Sequence, residues 1–185
     1  MAKTPSTMLP LGTPAPDFAL PEPLTGECIT RDQVKGSKGL LVMFICNHCP
    51  FVVHLLDALA LLGQDYADSP IGLVAISSNN VESYPQDAPE HMAALAKQKD
   101  FAFPYLYDAS QDIARAYSAA CTPDFFLFDG DLKLVYRGQF DGSRPGNGEP
   151  ITGRDLRAAM QALCQDQPID PEQQPSIGCN IKWKD

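Results

Sequence analysis

Positive charge is scarce in this sequence. Fourteen Lys and Arg face 23 Asp and Glu, for a formal net charge of −9. Nucleic acids and anionic membranes are bound through basic patches, so neither is expected as a partner. Long apolar runs are missing too. No stretch approaches the roughly 20 apolar residues that cross a bilayer as a helix. The opening Met1-Ala2-Lys3-Thr4-Pro5-Ser6-Thr7-Met8-Leu9-Pro10 lacks the apolar centre of a secretory signal, and a cytoplasmic protein is expected. Internal repeats are absent. Only one Cys-x-x-C pair occurs, whereas a structural zinc site usually shows two.

With 185 residues the chain is expected to form one domain with appendages. A core of that size needs no disulfides to fold. Six cysteines in such a chain therefore read as redox or metal chemistry before they read as a disulfide framework. Cys46-Asn47-His48-Cys49-Pro50 carries most of the information. It follows the apolar run Leu40-Leu41-Val42-Met43-Phe44-Ile45 and precedes another, Phe51-Val52-Val53-His54-Leu55-Leu56. A buried strand that delivers Cys-x-x-C to a helix start is the layout of a dithiol redox centre. Free N–H groups and the positive dipole end at that point stabilise a thiolate, which is the nucleophile.

Residues 1–11 read as an N-terminal arm, in a Pro-rich stretch that runs to residue 16. Residues 12–164 form the domain, and 165–185 a polar, Pro-rich tail docked on it by Ile177, Ile181 and Trp183. Within the domain, strands are expected at 27–30, 39–45, 71–76 and 125–128, with 132–139 as a hairpin partner. Helices are expected at 50–66, 89–99 and 110–117, the last capped by Ser110. A final helix opens at Thr152, with Asp155 in a capping-box-like position. Alternation followed by an antiparallel pair implies an α/β fold, a mixed central sheet with helices on both faces.

Ala15-Pro16-Asp17-Phe18, the strand ending at Cys46, the Cys49-Pro50 step and Thr122-Pro123 before a strand together resemble the thioredoxin-fold redoxins. Among these the chain is similar to the peroxiredoxin-like branch of the alkyl hydroperoxide reductase/thiol-specific antioxidant family, from about Gly12 to the last helix. Cys121–Asp129 and Ser176–Trp183 look like segments of one subgroup of that branch. The resemblance implies a thioredoxin-like fold with Thr122-Pro123 as a cis peptide facing the dithiol. It also implies redox chemistry without an organic cofactor. Protein disulfides or peroxides would be the substrates, and a dithiol such as thioredoxin the reductant.

Two registers compete for the attacking sulfur. In the thioredoxin register Cys46 caps the helix and attacks, Cys49 resolves, and His48 between them acts as a cation that lowers the thiol pKa. In the peroxiredoxin register Cys49 caps and attacks. Pro50 then sits at the first helical position, where its missing N–H costs nothing. A typical peroxiredoxin has Thr or Ser where Cys46 stands, and an arginine where Cys121-Thr122-Pro123-Asp124 has none. Arg137 and Arg144 are the candidate replacements. The balance falls on thiol–disulfide exchange, with Cys46 ahead of Cys49. A peroxidase using Cys49 is the alternative, and a copper or zinc module using Cys46, Cys49 and Cys121, Cys179 or His48 the second.

Cys121, two residues before Pro123, and Cys179, in a tail long enough to reach any face of the domain, are possible additional thiols. Asp124 is a candidate proton acceptor, and Phe51 and Val52 a candidate apolar lip for a protein substrate. Cys28 and Cys164 read as structural, and His54 as a packed helix residue. The nearly continuous apolar helix after Pro50 leaves room for a dimer contact, so monomer and homodimer both stand.

Overall fold

The computed structural model describes residues 3–184. In chain order its elements are β1 (Lys3–Pro5), β2 (Ala19–Pro21), β3 (Cys28–Thr30), α1 (Arg31–Val34), β4 (Gly39–Phe44), α2 (Pro50–Asp65), β5 (Ile71–Ser77), α3 (Pro89–Gln98), β6 (Tyr105–Tyr107), α4 (Asp112–Ala116), β7 (Cys121–Thr122), β8 (Asp124–Asp129), β9 (Leu134–Gly138), α5 (Arg154–Cys164) and β10 (Ile177–Asn180).

The continuous apolar run of β4 belongs at the centre of a sheet covered on both faces, and it is found there. The main sheet has the order β6-β5-β4-β8-β9. β4 runs parallel to β5, with Met43 opposite Ala75, and antiparallel to β8, with Met43 opposite Phe125. Strand alternation sorts the side chains into two cores. Leu41, Met43, Phe125 and Leu127 pack with Leu55 and Leu59 of α2, Met92 of α3 and Leu156 and Met160 of α5. Leu40, Val42, Phe44, Phe126 and Phe128 pack with Leu20 of β2, Ala114 of α4 and Tyr117. Each Leu, Val, Phe or Met side chain among these, when fully buried, stabilises the fold by about 1.5–3 kcal/mol.

Local expectations fail where a distant group intervenes. The capping box foreseen at Thr152 and Asp155 does not form. Gly153, at φ +66°, is the cap residue of α5 and makes no side-chain cap. The Asp141 carboxylate instead accepts the N–H groups of Thr152 and Gly153, both at 2.6 Å. Asp155 accepts from Gln139 at 2.7 Å. Gln111, at φ 68°, is the cap residue of α4, although Ser110 Oγ still accepts the Asp112 N–H at 3.2 Å. β6, unforeseen, closes the sheet edge beside β5.

The arm and the tail meet in a second sheet of order β1-β10-β7. Lys3 pairs with Cys179, and Cys179 with Thr122. This pairing carries the tail to the end of the main sheet where the Cys-x-x-C lies.

Candidate active site

β4 ends at Phe44, and Ile45 leads into Cys46 at its carboxyl end. Cys49 is the cap residue of α2 and Pro50 its first helical residue. Cap geometry thus goes to Cys49, where the thioredoxin register had placed Cys46. The reason is the proline, whose fixed φ and missing N–H suit that first position. The N–H groups of Val52 and Val53 both donate to the Cys49 carbonyl at 2.9 Å.

Asp87 holds the Asn47-His48 loop, and sequence reasoning missed it. It ends a short 3-10 turn, Pro85–Asp87, and is fully buried. Its Oδ1 accepts the backbone N–H of Asn47 at 2.8 Å and of His48 at 3.2 Å. Its Oδ2 accepts from Asn79 Nδ2 at 2.8 Å and meets His48 Nδ1 at 2.7 Å. Asn47 adds a bond from its Nδ2 to the Gln86 carbonyl at 3.0 Å and accepts from the Tyr105 hydroxyl at 3.1 Å. The His48 ring stacks on Tyr84, with centroids 5.2 Å apart. His48, expected as a cation between the two cysteines, has its Nδ1 turned to Asp87. The polar run Ser77-Ser78-Asn79-Asn80 was the only sequence hint, and it marks a partner of Asp87 rather than Asp87 itself.

Thr122 faces both sulfurs, and the Thr122–Pro123 bond is cis. Cys46 Sγ lies 3.4 Å from Thr122 Oγ1, and Cys49 Sγ 3.1 Å from the Thr122 carbonyl oxygen. Neither cysteine is more than 1% exposed. The carbonyl contact favours a protonated Cys49, but the other groups around that sulfur are donors. The Cys46 thiol, the Cys179 thiol and the N–H groups of Val52 and Cys179 bring the Cys49 pKa down to about 4. Cys46 moves the opposite way. Its hydrogen bond to Cys49, its burial and the charge of Asp87 push it well above the ordinary thiol range. Within this pair Cys46 keeps the proton and Cys49 carries the charge.

The remaining thiols divide. Cys179 reaches the site on β10, and burial plus the neighbouring Cys49 push it up to about 12. Cys121 is buried beside it, and burial raises its pKa strongly; its Sγ donates to the Pro123 carbonyl at 3.5 Å. Cys28 is exposed on β3, and Cys164 is half-buried at the end of α5.

Both candidate arginines are engaged elsewhere. Arg137 sits opposite Phe126 on β9, so it faces the second core and not the Phe125 face that carries the sulfurs. It is fully buried and donates to Asp124 at 3.2 Å, the Ser118 carbonyl at 2.8 Å and Thr7 at 3.1 Å. The ion pair also ties up Asp124, the candidate proton acceptor. Arg144 donates to the carbonyls of Asp141 and Ser143 and to Gln139. Phe51 lines a small cleft whose wall is apolar at Leu55, Pro123 and Phe140 and polar at Arg144 and Ser176, whereas Val52 is fully buried.

Cys46, His48 and Asp87 offer donor atoms within 4.8 Å of one another. His48 and Asp87 are bonded to each other, and both Asp87 oxygens accept N–H groups. A metal would have to break these bonds to gain its ligands, so the donor set fits an ion poorly.

The Cys49 pKa makes reduced-state stability depend on pH. A thiol that ionises near 4 when folded and near 9.0 when unfolded binds fewer protons in the native state between those values. The contribution is complete above the unfolded value and is lost as pH falls through about 4. Across that window the stability of reduced wild type minus that of Cys49→Ser should rise with pH. Urea unfolding of both proteins across the range checks it, and a flat difference would place the charge elsewhere.

The profile of the AhpC/TSA family matches residues 11–137. An uncharacterized conserved protein from Geobacillus kaustophilus is 51% identical, over 100% of this chain and 97% of that one, with a TM-score of 0.97. A hypothetical protein from Sinorhizobium meliloti is 50% identical, over 98% of both chains, with a TM-score of 0.95. The thioredoxin domain of a thiol-disulfide oxidoreductase from Bacteroides vulgatus shares the fold at 19% identity, over 70% of this chain and 89% of that one, with a TM-score of 0.58. No curated protein matches. With a mixed sheet flanked by helices and a family match over most of its length, the chain belongs to the AhpC/TSA family and has a thioredoxin-like fold.

Proposed function

We propose that the protein is a thiol–disulfide oxidoreductase in which Cys49 attacks and Cys46 resolves. The observation that carries this reading is that Cys49, and not Cys46, is the cap residue of α2, with the thiols of Cys46 and Cys179 and the N–H groups of Val52 and Cys179 hydrogen-bonded to its sulfur. The order of roles departs from the balance of the sequence, which favoured Cys46, because the cap and its donors belong to Cys49.

The Cys49 thiolate attacks one sulfur of a substrate disulfide. A mixed disulfide forms and one substrate thiolate leaves, taking a proton from solvent. Loss of the charge on Cys49 removes a hydrogen bond and a repulsion that keep Cys46 protonated. Cys46 gives up its proton and attacks Cys49 Sγ. The Cys46–Cys49 bond forms, the bond to substrate breaks, and the second substrate thiol leaves with a proton. The substrate gains two electrons and the dithiol loses two. An external dithiol, thioredoxin being the expected type, attacks Cys49 and frees Cys46 with a proton; its second thiol then displaces Cys49, and the reductant leaves as a disulfide.

The same cap favours Cys49 in a second reading, attack on a peroxide. That reading lacks a free arginine beside the sulfur and a hydroxyl at position 46. The reduced protein should therefore exchange with oxidised glutathione far faster than a free thiol, and react with hydrogen peroxide like one. Cys49→Ser should lose at least about 1,000-fold in exchange rate, as removal of a covalent nucleophile does. A mixed disulfide accumulating on Cys46 in Cys49→Ser would reverse the roles. Fast peroxide consumption with sulfenic acid on Cys49 would select the peroxidase.

A further inference from the structure

The hydrogen-bonding edge of β7 beside the dithiol is occupied by the chain's own tail. β10 runs antiparallel to it, with Cys179 opposite Thr122 and Asn180 opposite Cys121. Gly178 makes the approach possible, since a Cβ there would lie 2.0 Å from the Thr122 carbonyl oxygen. The tail is moored on both sides of Cys179. Ser176 Oγ donates to the Pro123 carbonyl at 2.6 Å, and the Ser6 N–H to the Ser176 carbonyl at 2.8 Å. Beyond Cys179, the Lys182 N–H donates to Asn79 Oδ1 at 2.9 Å, and Gln111 Nε2 to the Lys182 carbonyl at 2.8 Å. Cys49 thus has a thiol on each side, Cys46 from its own loop and Cys179 from the tail, and both hydrogen-bond to it.

Two features follow from this placement. With β10 in place neither sulfur of the Cys-x-x-C is more than 1% exposed, and β10 lies on β7 with its Cys179 thiol hydrogen-bonded to Cys49, so withdrawal of the tail would open Cys49 from that side. An extended substrate segment would then find on β7 the backbone groups that β10 had been using. Return of the tail must expel that segment, and it carries a thiol to the sulfur the substrate is bonded to.

We propose that Cys179 is a third redox-active cysteine: β10 and a substrate strand alternate on the edge of β7, and the returning tail delivers Cys179 as a second resolving thiol, alongside Cys46, for the mixed disulfide on Cys49. This rests on the reading of Cys49 as the attacking sulfur. The step conserves charge and electrons. Cys179 loses its proton and its Sγ attacks Cys49 Sγ. The Cys49–Cys179 bond forms, the bond between Cys49 and the substrate sulfur breaks, and the substrate thiolate leaves with the proton. Cys179 and Cys49 are oxidised together by the disulfide the substrate brought. Cys46 then attacks Cys49 to form Cys46–Cys49, which frees Cys179 with a proton, or the external dithiol reduces Cys49–Cys179 directly. Timing is built in. Part of what keeps Cys179 protonated is the charge of the Cys49 thiolate and the hydrogen bond to it. Both disappear once Cys49 is in a mixed disulfide.

The test uses the full chain, reduced, as wild type, Cys46→Ser, Cys179→Ser and the double substitution. Each is mixed with oxidised glutathione, quenched in acid and mapped for disulfides. In Cys46→Ser, glutathione should be displaced and a Cys49–Cys179 disulfide should accumulate. The glutathione adduct on Cys49 should last roughly 100-fold longer in the double variant, which has lost both positioned thiols. Alanine versions of each substitution, with thermal unfolding of all, separate loss of fold from loss of a thiol. An adduct in Cys46→Ser that lasts as long as in the double variant overturns the role of Cys179 and leaves exchange at Cys49 intact. Failure of Cys49 to take up glutathione in every folded variant overturns the exchange reading and this proposal with it.

Discussion

Asp87→Ala should destabilise the reduced protein by about 3–5 kcal/mol, the range for removing one member of a buried charged hydrogen-bond set. For a domain of this size that lowers the melting temperature by on the order of 10 °C. The mechanism is specific. The N–H groups of Asn47 and His48, the Asn79 amide and the His48 ring all lose their acceptor at once. Buried donors left unmatched account for much of the cost. The Cys46 thiol should also ionise at lower pH, because the Asp87 charge is one of the causes that raise it. Asp87→Asn keeps the shape and one acceptor oxygen but sets an NH2 group against a donor. It should fall between wild type and alanine in stability and share the Cys46 shift. Urea unfolding with a pH titration of thiolate absorbance reads both effects. A cost below about 1 kcal/mol, the range of an ordinary surface substitution, would show that Asp87 does not hold the loop.

Asp87 also shows which part of the site the sequence conceals. β4, β5, β8 and α2 announce themselves through continuous apolar runs bounded by polar residues. The chemistry announces itself through Cys46 and Cys49 at the junction of two such runs. These signals are local. The clamp is not, because Asp87 lies far along the chain from His48, in a turn whose residues look like any exposed Pro-Gln-Asp. Its burial follows from how the segment after β5 folds back over the cysteine loop. Asp141 is a nearer case, a carboxylate at the start of the loop between β9 and α5 that takes the place of the expected cap at its end. Arg137, on sequence grounds a candidate arginine for the sulfurs, is buried against Phe126 with its centre 4.4 Å from the ring. The tail is intermediate. Ile181 and Trp183 suggest docking, and Cys179 in their midst suggests chemistry. The register that sets Cys179 against Thr122 comes from pairing with two segments over a hundred and about fifty residues away, and a single sequence does not display it.

Gly178→Val should uncover the dithiol. A Cβ at this position would lie 2.0 Å from the Thr122 carbonyl oxygen, 2.5 Å from its carbon and 3.1 Å from the Pro123 nitrogen. All three are backbone atoms of β7 and the residue after it. No side chain can rotate to make room, so β10 must separate from β7. Overpacking of this kind costs about 1–3 kcal/mol. The moorings at Ser176 and Lys182 lie outside the clash, so the rest of the tail has its own contacts to keep. The separation should therefore be local to Cys179 and the sulfurs it covers. Alkylation of Cys49 by iodoacetamide should accelerate at least about tenfold, the effect of about 1.4 kcal/mol on an opening equilibrium. Gly142→Ala is the matched control. Its Cβ would meet only an Arg154 side-chain nitrogen at 4.0 Å, and both stability and alkylation should stay near wild type. Should Gly178→Val alkylate no faster than Gly142→Ala, something other than β10 seals the site, and substrates reach Cys49 by a route that leaves the tail in place. Faster alkylation in Gly178→Val alone makes the tail strand the gate, set by one backbone contact that only glycine permits.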